Sequence, residues 1–92
     1  MMQSFADHET EAVFLTGTSR RWAAIARVAA RRLQALDFAA AVEDLRSPPG
    51  NRLEKLKGDQ KGQWSIRIND RCRVCFRWDG ADAWEVEIVD YH

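Results

Sequence analysis

Ninety-two residues, 46% of them hydrophobic and four of them tryptophan, make a single domain over 1–92. A chain of this size buries roughly two thirds of its unfolded surface without disulfides or metal. Formal net charge is zero, which removes any whole-molecule attraction to nucleic acid. No leader-like segment and no apolar run long enough to span a bilayer occurs, so a cytoplasmic protein with no membrane contact is expected.

In chain order, residues 1–5 form a short apolar start that reads as an edge strand. Asp7 is placed to cap a helix whose first turn carries Glu9 and Glu11, favourable near a positive helix end. Gly17 ends that helix. His8 in the first turn reads as a solvated histidine, since no second His or Cys stands near it in sequence. Thr18 or Ser19 caps a longer helix running to about Leu36. Trp22, Ile25, Ala29, Leu33 and Leu36 recur at three- and four-residue intervals as its core stripe. Arg20, Arg27 and Arg31 gather on another face, with Arg21 and Arg32 beside it, either as a solvated face or as a docking surface for RNA phosphates or an acidic partner. Asp37 is expected to cap a short third helix over 38–45. Ser47-Pro48-Pro49-Gly50 then forces an extended break between a helical half and a strand half, an α+β arrangement.

The strand half starts with a predicted strand over 51–57 and a turn over 58–62. Residues 63–78, QWSIRINDRCRVCFRW, alternate apolar with basic on two strands joined by a tight Asn69-Asp70-Arg71 turn. Trp64, Ile66 and Ile68 share one face, and Cys72, Val74, Phe76 and Trp78 share one on the second strand. A one-residue slip would push one apolar set into water, so a three-residue loop is required, pairing Ile66 with Val74 and Arg67 with Arg73. Two arginines directly opposite repel, which points to an anion at that place. A turn over 79–82 leads to a last strand over 84–91, with Trp84, Val86 and Ile88 inward. Pairing Trp78 with Trp84 sets Arg77 against Glu85, Cys75 against Glu87, Arg73 against Val89 and Arg71 against Tyr91. Arg77 then has a structural carboxylate partner, whereas Arg67 and Arg73 have no acid directly opposite, with Glu87 only diagonal to Arg73, and are the candidates for gripping a phosphate.

Cys72 and Cys75 have C-x-x-C spacing, but residues three apart on a strand face opposite ways and cannot share a metal or a relaxed disulfide. From Arg46 to Arg77 nine Lys or Arg stand against three acids, and from Trp78 onward five acids stand against none. The chain closes on Asp90-Tyr91-His92, bringing a carboxylate, a phenol and an imidazole to one strand end. Beside unpaired guanidinium groups, a group titrating near neutrality is a plausible acid–base kit for phosphodiester chemistry. Alternation places Tyr91 on the Arg73 face; Asp90 and His92 reach it only if the tail twists. Nucleotide-loop, zincin and serine-triad patterns are absent.

Four segments carry a resemblance: RSPPGNRLEKLKGD at 46–59, GQWSIRIND at 62–70, RVCFRW at 73–78 and VEIVDYH at 86–92. Together with SFADHETE at 4–11 they resemble the HigB toxins of the RelE-type toxin superfamily over essentially the whole chain. The resemblance implies a RelE-like α+β fold, with a short N-terminal strand and two to three helices on a twisted, mainly antiparallel sheet. It implies a type II toxin–antitoxin toxin, a ribosome-dependent mRNA endonuclease using 2′-hydroxyl attack on the adjacent phosphate, without metal or other cofactor. His92 would be the principal acid–base group, supported by Asp90 and Tyr91, with Arg73 stabilising phosphate charge and Lys57 assisting. Glu54 occupies a slot where some relatives carry a catalytic histidine, so the base role stands open between Glu54 and His92. Arg52, Lys55, Lys57, Arg67 and Arg71 would contact RNA. The implied partners are a HigA-type helix-turn-helix antitoxin, the ribosome and mRNA; this chain would not itself read DNA. Two alternatives remain: a toxin of the same fold that inhibits DNA gyrase without nuclease chemistry, and a non-catalytic ribosome- or RNA-binding module.

Overall fold

In the computed structural model, which describes residues 1–57 and 62–91, the break at Ser47–Gly50 divides helices from strands as the composition predicts. Helix α1 (His8–Thr16) starts at Asp7, whose carboxylate accepts from the Thr10 amide at 2.7 Å, and stops at Gly17 in the left-handed region with φ 84°. Helix α2 covers Ala26–Phe38 and starts later than predicted. The intervening chain is tied down by side chains: Ser19 Oγ accepts from the Trp22 amide at 3.1 Å and Glu9 from the Arg21 amide at 3.1 Å. A 3₁₀ turn over Ala23–Ile25 then leads into the helix.

The expected third helix is corrected. Asp37 remains inside α2, where its carboxylate accepts from the Met2 amide at 2.9 Å instead of capping a new element. A 3₁₀ turn, Val42–Arg46, follows, with Asp44 accepting from the Ala40 and Ala41 amides. The strand predicted over 51–57 shrinks to β1 (Glu54–Lys55), because Asn51 closes another 3₁₀ turn and Arg52 takes φ 45°. The predicted turn over 58–62 lies outside the described residues for 58–61.

Strands β2 (Gln63–Arg67), β3 (Cys72–Asp79) and β4 (Asp82–Asp90) complete a four-stranded antiparallel sheet in the order β1-β2-β3-β4. The hairpin register is the one that matching faces demands: Ile66 pairs with Val74 and Arg67 with Arg73. Asn69 closes the loop, its side-chain oxygen accepting from the Arg71 and Cys72 amides at 2.8 Å each. One face of the sheet packs on α1 and α2. Its core is Ile66, Val74, Phe76, Val86 and Ile88 against Val13, Ala29, Leu33 and Leu36, with Trp22 beside them.

The β3–β4 register holds where Arg73 meets Val89 and Cys75 meets Glu87, then shifts between Cys75 and Arg77. Glu85, at φ 55°, carries the extra residue of a bulge. Trp78 therefore pairs with Ala83 and Arg77 with Trp84, so the expectation that Trp84 faces inward is overturned. Ala83 takes the buried place, and Trp84 lies on the open face with the Arg77 guanidinium 5.6 Å from its ring centre. Bulging brings a methyl group rather than an indole beneath the N-terminal segment, which bridges in parallel to Ala83 and Val86.

That N-terminal segment covers the outer edge of β4. The Gln3 and Ala6 amides donate to Ala83 and Val86 carbonyls, and Thr10 Oγ1 accepts from the Ile88 amide at 3.0 Å. No described helix is long and apolar enough to cross a membrane.

Thr10 is fully buried, and removing its hydroxyl strands the Ile88 amide. Thr10→Val is expected to lower stability in urea unfolding by about 1–3 kcal/mol, the cost of a buried unsatisfied donor. Thr16→Val, on the exposed end of the same helix, is expected to cost under about 0.5 kcal/mol.

Candidate active site

Helices cover one side of the sheet, so residues alternating with the core set stand on the other. Ser65, Arg67, Arg73, Cys75, Arg77 and Glu87 are such residues, and their face is open. At its β1–β2 end lies a cleft of about 380 Å³ lined by Arg52, Glu54, Arg67, Arg71, Arg73 and Tyr91, with loop residues Asn69 and Asp70.

Arg73 is the fixed element of this cleft. Its side chain is only 11% exposed, although it carries a full charge. Nε donates to Ser65 Oγ at 2.7 Å, and Nη2 donates to the Arg52 and Ser65 carbonyls. The Glu54 carboxylate stands 3.9 Å away at the rim. A guanidinium carries five donors, and the oxygens contacted here hold the fork in one plane. The left-handed Arg52 backbone aims one of those carbonyls inward.

Arg67, opposite Arg73, is not an unpaired cation. It pairs with Asp70 across the loop. The expectation that these two arginines are left uncompensated is thus corrected: each finds a carboxylate off-register, Asp70 for Arg67 and Glu54 for Arg73. Arg32 reaches up from α2 and donates to the Arg67 carbonyl at 2.9 Å. Burial, then the charge of Arg67, lowers its pKa.

Tyr91 closes the cleft at the β4 end. Its hydroxyl lies 3.3 Å from Cys75 Sγ, and this hydrogen bond, followed by desolvation, pushes the phenol up to about 12. Burial raises the Cys75 thiol, while the contact with Tyr91 lowers it. Cys72 faces the helices and Cys75 the open side, as strand alternation requires.

The remaining candidates divide. Arg71 lines the cleft and pairs with Asp90 at 3.2 Å. Asp90 itself lies on the other side of this hairpin edge, beside Trp22 and Ile25 in a separate depression. Lys55 lies over the Trp64 ring at 5.8 Å, and Lys57 is exposed beyond the end of β1. His92 lies outside the described residues. Arg77 pairs with Glu85 at 3.3 Å, the expected partner, but across the bulge and not directly opposite, since Trp84 holds that place. Ser65, which holds Arg73 Nε, carries no functional signal of its own in the sequence. Alternation was the available signal, because Ser65 and Arg73 are diagonal neighbours in the register.

Tyr91 is the chain's one tyrosine, so its ionisation can be followed by ultraviolet absorbance. The folded protein is expected to form tyrosinate near pH 12, and Cys75→Ala to bring the midpoint back toward the ordinary value of 10. The folded state holds this proton more tightly than the unfolded chain, so the linked stability is complete below pH 10 and is lost between 10 and about 12.

A family model for the RelE-like toxin of the type II toxin–antitoxin system HigB matches residues 3–92. Toxin HigB-1 of Vibrio cholerae serotype O1 is 54% identical over 48 residues, covering 52% of this chain and 50% of that protein. Endoribonuclease HigB of Proteus vulgaris is 38% identical over 61 residues, covering 66% of this chain and 65% of that protein. The chain thus spans from half to just under two thirds of the length of these relatives. In three dimensions the YoeB/ParE toxin from Agrobacterium tumefaciens superposes with a TM-score of 0.53 over 96% of each chain at 18% identity, which establishes a common RelE-like α+β fold. With the family model spanning almost every residue, this chain belongs to the HigB-like family of RelE-like toxins.

Proposed function

We propose that this chain is the toxin of a type II toxin–antitoxin pair and cuts mRNA on the ribosome, without a metal, by attack of a ribose 2′-hydroxyl on the adjacent phosphate. The observation that carries this reading is Arg73, a charged group almost wholly enclosed by acceptors at the base of an arginine-rich cleft. A guanidinium already oriented needs little reorganisation as negative charge builds on the phosphate, and such preorganisation is a large part of transition-state stabilisation.

Position supports the roles of the described residues, and the family resemblance that of His92. Glu54, at the rim beside Arg73, would take the 2′ proton; its nearness to Arg73 supports that role. His92 would then protonate the leaving 5′ oxygen, completing the transfer. Tyr91, its phenol pushed up to about 12, holds its proton too tightly to act as a base at neutral pH, and would have to turn its hydroxyl from Cys75 to donate to a phosphate oxygen. Asp90 acts at one remove, holding Arg71 at the cleft edge. Arg52, Arg67 and Lys57 would contact flanking phosphates, with Lys55 further along β1, giving an affinity that falls with salt. The partner would be a HigA-type helix-turn-helix antitoxin, and the site of action the cytoplasm, where translating ribosomes are. What supports this set of partners is membership of the family. Endoribonuclease HigB of Proteus vulgaris supports the activity by its name.

The test is to incubate the purified protein with programmed ribosomes and map mRNA 5′ ends. Wild type is expected to cut, and His92→Ala to lose cleavage. Gyrase inhibition with intact mRNA would instead indicate the non-nuclease toxin, and ribosome binding without cuts the non-catalytic module. In the same assay Arg73→Ala is expected to reduce the rate by at least about a hundredfold, the scale for one lost oxyanion donor. Arg77→Ala, at equal folded stability, is expected to change it by less than about threefold, in keeping with an exposed ion pair. Equal losses would remove Arg73 from its assigned role.

A further inference from the structure

Past Tyr91 the open face continues into a second cleft, of about 330 Å³, on the β4 side. Leu56, Gln63 and Val89 form its walls with Tyr91, and Glu85 and Glu87 supply its charge. Tyr91 lines both clefts, so a strand with one phosphate over Arg73 carries an adjoining nucleotide into the second.

The two carboxylates are not equivalent. Glu85 is paired with Arg77. Glu87 has no ion pair among the described residues: its cross-strand neighbour is Cys75, and Arg73 turns away toward Ser65, the Arg52 carbonyl and Glu54. Half-buried beside apolar and amide walls, the Glu87 carboxylate presents acceptors only. Such a group repels the RNA backbone unless a donor meets it, so its placement favours selection over raw affinity.

We propose that this second cleft receives a nucleobase flanking the scissile phosphate, and that Glu87 selects bases bearing an amino group (adenine, cytosine, guanine) against uracil. The inference rests on the nuclease reading. Adenine and cytosine place an amino donor on the edge that Glu87 would meet, and guanine adds a ring N–H beside its own. Uracil sets a carbonyl oxygen on each side of its single N–H, facing the carboxylate with like charge. Gln63, across the cleft, has both a donor and an acceptor for the groups Glu87 leaves.

The experiment maps 5′ ends on ribosome-bound messages in which the nucleotides on either side of the cut are varied one at a time. Wild type is expected to disfavour uridine at one of the two positions by about tenfold, the scale of one charge-assisted hydrogen bond left unmade. Glu87→Gln keeps the size but adds a donor, and is expected to bring uridine within about twofold of the other bases at that position only. Glu87→Ala, which removes the acceptor, is expected to relax the same position. Cleavage with no uridine discrimination in wild type, or with discrimination unchanged in both variants, overturns the inference and leaves the nuclease reading standing. A wild-type chain that cuts no message overturns the nuclease reading, and the base selection falls with it.

Discussion

A charged side chain that is nearly buried must find hydrogen-bond acceptors or be excluded, and Arg73 meets this condition through Ser65 and the Arg52 carbonyl, with the Glu54 carboxylate 3.9 Å off as an ion-pair neighbour. Ser65 comes from β2, the Arg52 carbonyl from the left-handed residue after a 3₁₀ turn, and Glu54 from β1. Each is in reach only because the turn between Ile68 and Cys72 has three residues and sets Arg67 against Arg73. A slip of one residue would turn Arg73 into the helices and Val74 into water. Core packing and the cleft therefore impose the same register, and neither can change without the other.

That register was legible because it is over-determined. Seven apolar residues on two strands must face one way, and the Asn69 turn admits one loop length that allows it. Helix α1 was legible for a similar reason: Asp7 and Gly17 are strong local signals. What escaped had no local signal. The bulge at Glu85 places a glutamate in the left-handed region, a conformation its side chain does not advertise, and it moves Trp84 outward and Ala83 inward. Asp37 looked like a cap, but its partner is Met2, thirty-five residues away. Tertiary contacts decided both.

The cleft shows the same division. Strand alternation placed Arg67, Arg73, Cys75 and Tyr91 on one side and Asp90 on the other, and the structure keeps them there. Alternation says nothing of how far a long side chain travels, so it missed that Arg67 folds back onto Asp70 and that Arg73 leans toward β1. Five of the nine cations, Arg46, Arg67, Arg71, Arg73 and Arg77, pair with carboxylates, so the cleft is less bare than its composition suggests. What distinguishes it is how firmly one guanidinium is held, more than how many are present.

The most direct measurement is on that guanidinium. Arg73 Nε–H, sheltered by Ser65 Oγ, should give its own slowly exchanging resonance in ¹⁵N-resolved NMR. On titration with a single-stranded RNA carrying 2′-O-methyl groups that block attack, this resonance is expected to move together with the Tyr91 amide. If Arg73 Nε–H stays still while RNA shifts the exposed arginines of α2, or shifts nothing, the open face of the sheet is not where the phosphate binds.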